Sequence, residues 1–208
     1  MNTHVLMAAT TATLVMSGSA FADITITQGP SAPTYTDYTL NFDEDGGPTG
    51  VVAPDTWLGS HGLYIEAGDG VGQVDDWDPL YGGWGLGDGN SFFGNFGVFM
   101  TFDQDLTGFS AQVWDPSGPP DPFGGGLGVF VFNDGVEVAN TIVEPAWGGI
   151  GDSWFNIVGD GVAFDEVRIL GFGFTPTTFM DNVSWDVVPA PGAFALLAVA
   201  GLVGRRRR

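Results

Sequence analysis

Val129-Phe130-Val131-Phe132-Asn133-Asp134-Gly135-Val136-Glu137-Val138 is the stretch on which the fold turns. Two runs rich in β-branched and aromatic residues flank Asn-Asp-Gly. Asp-Gly supplies the positive φ that a tight hairpin turn needs, so the stretch predicts two antiparallel strands, 128–132 and 136–143. The same texture extends both ways. Short apolar segments at 24–27, 35–42, 63–66, 97–102, 109–114, 154–158, 162–170 and 179–187 alternate with clusters of Gly, Pro, Asn and Asp. No run between Asp23 and Val188 carries a helical period. The expected class is all-β, as a single antiparallel sandwich or barrel. Asp115-Pro116-Ser117-Gly118-Pro119-Pro120-Asp121-Pro122 and the glycines after it are a long loop rather than a strand interior.

Composition limits what such a body does. Residues 23–187 number about 165, enough for one domain with a full core. All 25 Asp and Glu fall there, and its only basic residue is Arg168. Nucleic acid is excluded as a partner, because nothing can neutralise phosphates. Cys is absent, which removes disulfides, thiol catalysis and Cys-zinc sites. Hydrophobic content of 44% nevertheless argues for a packed core rather than a disordered polyanion.

The ends of the chain read as export signals. Residues 1–22 form a signal peptide with an apolar centre and small residues, Ala20 and Ala22, at the cleavage-determining positions, so the mature chain begins at Asp23. At the other end, Val188-Pro189-Ala190-Pro191 is held extended by its prolines. The apolar run 192–204 follows, and then Arg205, Arg206, Arg207 and Arg208. As a helix, 192–204 reaches about 20 Å against a hydrocarbon core of roughly 30 Å, so it needs snorkelling arginines or a thinned bilayer to span. The positive-inside rule keeps the arginines cytoplasmic and the body outside.

That tail resembles a PEP-CTERM sorting signal, a family also described as the ice-binding protein C-terminal segment, a label that does not by itself imply ice binding. The resemblance covers 188–208. Ala190 stands where Glu is usual. It implies an exported protein of a diderm bacterium, transiently anchored in the inner membrane and processed by an exosortase-type transpeptidase. It further implies residence at the cell surface or in the extracellular matrix, with exopolysaccharide as a partner. The body is similar, more loosely, to jelly-roll-like β-sandwich ectodomains that precede this tag. The similarity rests on residues 40–44 with Gly50, Gly62-Leu63-Tyr64-Ile65, residues 98–103, the Asn-Asp-Gly hairpin and Met180-Asp181-Asn182-Val183-Ser184-Trp185. Three segments follow: 1–22, the β-sandwich ectodomain 23–187 and the sorting tail 188–208.

Within the ectodomain, catalytic chemistry is thin. Only His61 survives signal removal, in Gly59-Ser60-His61-Gly62, a turn sequence that predicts a solvent-facing ring. No pair of carboxylates stands out for glycoside hydrolysis, so the expectation is a protein without enzymatic activity. Calcium is the candidate cofactor. Asp43, Glu44 and Asp45 near one end of the body and Asp181 and Asn182 near the other offer the oxygens a hard cation takes, although a solvated turn accounts for the first cluster and the start or a bulge of a strand for the second. Carbohydrate is the candidate ligand. Of seven Trp, those in Gly-rich loops, Trp77, Trp84 and Trp147, are placed to stack on sugar rings or to cap a sandwich edge. Trp114, Trp154 and Trp185, on expected strands, read as core. The leading expectation is a sorted envelope or matrix protein. A calcium-stabilised lectin-like module is the alternative, and a secreted hydrolase stands third.

Overall fold

The structure is a computed structural model, and it describes residues 23–43, 47–76, 89–114, 126–143, 153–172 and 177–189. Signal-cleavage residues Ala20 and Ala22, Glu44, Asp45, Trp77, Trp84, Trp147, Ala190, Pro191, the run 192–204 and Arg205–Arg208 lie outside them. Among the described residues no helix is long and apolar enough to cross a membrane.

Among the described residues, twelve strands run in the order β1 (Asp23–Gly29), β2 (Tyr38–Leu40), β3 (Gly50–Val52), β4 (Leu63–Ala67), β5 (Gly72–Asp75), β6 (Ser91–Asn95), β7 (Val98–Trp114), β8 (Gly126–Asn133), β9 (Val136–Val143), β10 (Trp154–Asp160), β11 (Phe164–Phe172) and β12 (Thr177–Val187). A short helix, α1 (Leu58–His61), precedes β4 and ends on Gly62 at φ 65°. Every strand pair is antiparallel. The β8–β9 hairpin forms where the sequence places it. Asp134 and Gly135 take φ of 51° and 74°, the left-handed pair that a two-residue turn requires.

The 17-residue β7 organises the molecule. Its first half, up to Phe102, lies between β4 and β11. Its second half, from Leu106, lies between β10 and β12. Asp103, Gln104 and Asp105, all exposed, separate the halves. One strand group therefore reads β4-β7-β11-β8-β9. The other reads β1-β10-β7-β12, and β12 continues on its far edge to β2 and to β6-β5-β3. One core draws on both groups: Ile65, Met100, Val129, Val131, Val167 and Ile169 from the first, and Phe109, Ala111, Val113, Phe155, Ile157, Met180, Val183 and Trp185 from the second. Each fully buried aliphatic or aromatic side chain contributes about 1.5–3 kcal/mol before the cost of chain ordering, and with no disulfide these side chains carry the fold.

Three expectations shift. Segment 35–42 pairs only at Tyr38–Leu40, because Tyr35, Thr36 and Asp37 give their N–H groups to side chains of β12 instead of to a ladder. The expected strands 97–102 and 109–114 are one strand. His61 is not a free solvent-facing ring: it is half-buried at the end of α1, with its ring 6.3 Å from Tyr38 and 6.2 Å from Trp185.

Candidate functional site

Strand alternation decides which side chains leave the core. On β7, Phe109, Ala111 and Val113 point inward, so Ser110 and Gln112 occupy the opposite face. On β10, Phe155 and Ile157 point inward, which turns Trp154 and Asn156 to that same outer face. β12 repeats the pattern with one interruption. Asp181 pairs with Gln112 and Ser184 pairs with Ser110, so Asn182 and Val183 together face the single residue Ala111. This is a β-bulge. Asn182 takes φ of 50°, a left-handed conformation that Asn tolerates better than most residues.

The bulge re-aims Asn182 onto the outer face. Its side-chain amide donates to Gln112 Oε1 at 3.1 Å and to Asp181 Oδ2 at 3.3 Å, and its backbone N–H donates to Asp181 Oδ1 at 2.6 Å. Gln112 in turn donates to Ser153 Oγ at 3.2 Å. Asp181 is 0% exposed, so these amide hydrogens help offset the cost of taking a carboxylate out of water.

Residues 30–37 form a strap beside this row. Ser110 Oγ donates to the Pro33 carbonyl at 2.8 Å, so the hydrogen between Ser110 and Ser184 comes from Ser184. Ser184 Oγ accepts the Tyr35 N–H at 3.0 Å. Asp186 Oδ1 accepts Thr36 N–H at 2.8 Å and Asp37 N–H at 3.1 Å, and Asp37 Oδ2 accepts the Val187 N–H at 2.9 Å. The Tyr35 ring lies on Gly108, where a Cβ would collide with it, and its hydroxyl donates to Asn156 Oδ1 at 2.7 Å. Burial, and then the nearby Asp186 carboxylate, push the Tyr35 phenol above its ordinary value, so it stays a neutral donor.

Between strap and bulge lies a half-open groove of about 430 Å³. Its described lining is Thr34, Thr39, Leu40, Asn41, Trp154, Asn182, Val183 and Ser184. Three hydroxyls and two amides share the lining with Leu40, Val183 and one half-buried indole, so its surface is mixed polar and apolar. Among the described residues no nucleophile–base pair lines it.

The structure separates the sequence candidates. Asn182 lines the groove, and Asp181 supports it from below. Trp154, read from sequence as core, is a groove wall; the alternation Trp154-Phe155-Asn156-Ile157 carries the signal that turns it outward. Trp185 is core, and Trp114 is buried outside the main cluster. Asp43 serves its own loop: its Oδ1 accepts the Asn90 N–H at 2.6 Å, and Gly89 leaves room for the carboxylate. Among the described residues no three His, Cys, Asp or Glu side chains gather as a metal site would require. Val188 and Pro189 are exposed at the end of β12, where the Val188 N–H donates to the Asp105 carbonyl at 2.7 Å.

No family model and no curated protein matches the chain. Among solved structures, the lectin domain of lectinolysin complexed with Lewis B antigen is 13% identical over 47% of this chain and 72% of that one, with a TM-score of 0.33. TmCBM61 in complex with beta-1,4-galactotriose is 8% identical over 72% of this chain and 99% of that one, at 0.32. The CBM51-2 and INT domains of ZmpB from Clostridium perfringens are 12% identical over 79% of this chain and 32% of that one, at 0.31. Scores of this size mark a distant likeness and identify neither a family nor a ligand.

Proposed function

We propose that this chain is an exported, non-enzymatic envelope or matrix protein, sorted through its PEP-CTERM-like tail, whose jelly-roll-like sandwich binds carbohydrate in the groove beside Trp154. The groove carries the reading: an indole wall stands beside hydroxyl and amide side chains, of which Asn182 is fixed by Gln112 and Asp181 and Ser184 by Ser110 and the Tyr35 N–H. Indole faces cover the apolar face of a sugar ring, while Thr, Ser and Asn match its hydroxyls. The two terminal signals support export, and a body with Arg168 as its one cation against 25 acidic residues supports a surface role away from nucleic acid.

The test is polysaccharide pull-down and a glycan array with the full chain purified in detergent, wild type against Trp154→Ala. Trp154 is half-buried on the outer face, so the variant retains its fold by circular dichroism. Loss of a wild-type signal in the variant supports the site. Equal binding by both proteins moves the ligand elsewhere, and no binding by either removes the carbohydrate reading. Mapping both termini of the protein isolated from its own cells tests sorting. A start at Asp23 and an end near Val188 support it, whereas an untrimmed chain rejects it.

A further inference from the structure

Resting on that reading, we infer that the groove takes an uncharged glycan, laid across the strands, and rejects uronate-bearing or sulfated polymers. The argument is one of charge and register. Trp154 pairs with Gln112, and Gln112 pairs with Asp181 at the foot of the Asn182 bulge. Ser184, three residues further along β12 and beyond the bulge, pairs with Thr39 of β2. The lining therefore comes from β10, β12 and β2, with β7 between β10 and β12 and its Gln112 bonded to Asn182. Three strand intervals of about 4.8 Å make the lining about 14 Å wide, room for a short run of sugar rings.

Among the described residues, every charged side chain on or beside this face is acidic. Asp181 sits beneath Asn182, Asp186 and Asp37 hold the strap, and Asp43 follows Asn41. The body's single cation is elsewhere. Arg168 lies on β11, pairs with Glu166 and sits over the Phe99 and Phe132 rings at 5.5 and 4.5 Å. An anionic ligand thus enters a field of one sign with nothing to answer it, whereas a neutral polyol meets the groove's polar groups without that penalty.

The experiment is a calorimetric or pull-down panel of neutral and uronate-bearing polysaccharides with the full chain in detergent, with chelator present, at low and high salt. Neutral polymers are expected to bind. Acidic ones should bind at least about tenfold more weakly at low salt, and salt should narrow the gap by screening. Thr39→Lys, a change at an exposed lining residue, should raise binding of the acidic polymers. Equal or tighter binding of acidic polymers by wild type at low salt overturns the charge inference and leaves the carbohydrate reading standing. Binding of neutral and acidic polymers that is unchanged in Trp154→Ala also overturns it, since the site is then not this groove. A panel in which nothing binds overturns both.

Discussion

The side-chain amide of Asn182 donates to Oε1 of Gln112 at 3.1 Å across the seam where β12 carries one residue more than β7. The extra residue costs the ladder a regular step and returns an amide aimed at the outer face. Two substitutions separate the backbone role from the side-chain role. Asn182→Ala loses the amide and keeps a Cβ in a left-handed conformation; Asn182→Gly loses the amide and the Cβ together and is free of that strain. Chemical denaturation should place the Ala variant about 1 kcal/mol below the Gly variant. Both should weaken glycan binding. If the Ala and Gly variants prove equally stable, the bulge carries no backbone demand.

Gly108 is the other conformational dependency. Any Cβ there meets the Tyr35 ring, which must then leave the sheet and give up its bond to Asn156. Gly108→Ala should cost about 1–3 kcal/mol by overpacking and weaken binding by shifting Thr34, the strap's contribution to the groove. Tyr35→Phe keeps the ring and removes the hydroxyl alone, for a smaller loss of about 1 kcal/mol. A Gly108→Ala variant as stable as wild type would show that the strap does not rest on the sheet.

Much of the fold was legible because period-two alternation and Asp-Gly turn chemistry are local. The hairpin at Asp134-Gly135 and the strands holding Phe155, Val167 and Trp185 follow from such patterns. β3, β5 and β6 were not legible. They are short, and Gly50, Gly72 and Gly94 dilute their pattern, so their pairing is decided by β12 and by each other rather than by their own residues. Half of the site was missed for a related reason. Large aromatics on strands are usually core, and Trp154 obeys its neighbours' alternation instead. Gln112, Ser184 and Thr34 carry no sequence signal alone. They become a site only through a bulge and a strap that long-range hydrogen bonds hold in place.

Arg168 tests which of two interactions holds the lone cation. Its side chain is 41% exposed, so the ion pair with Glu166 is screened and worth about 0–1 kcal/mol. Cover by Phe132 and Phe99 adds about 0.5–1 kcal/mol and survives salt better. Glu166→Gln should therefore change stability less than Phe132→Leu, and the ranking should hold at high salt. A salt-sensitive loss in Glu166→Gln that exceeds Phe132→Leu would make the ion pair dominant.

Asp165 gives the body a pH dependence of definite sign. Both of its oxygens accept the Asp134 N–H at 3.2 Å, at the foot of the hairpin. Burial raises its pKa above the ordinary 3.8; the neighbouring carboxylates of Asp134 and Asp105 raise it too, and together these outweigh the Asp134 N–H, which lowers it. The folded state thus holds this proton more tightly than the unfolded chain. The associated stability is fully present below pH 3.8 and is lost as pH rises through the folded value. Asp165→Asn keeps an oxygen for the Asp134 N–H and cannot ionise. The melting temperature of Asp165→Asn minus that of wild type should grow more positive from about pH 3 to about pH 6 and then level off. Using the difference cancels the self-repulsion of the other carboxylates, which both proteins share. A difference that is flat or falls across that range would mean that the desolvation of Asp165 does not survive in solution.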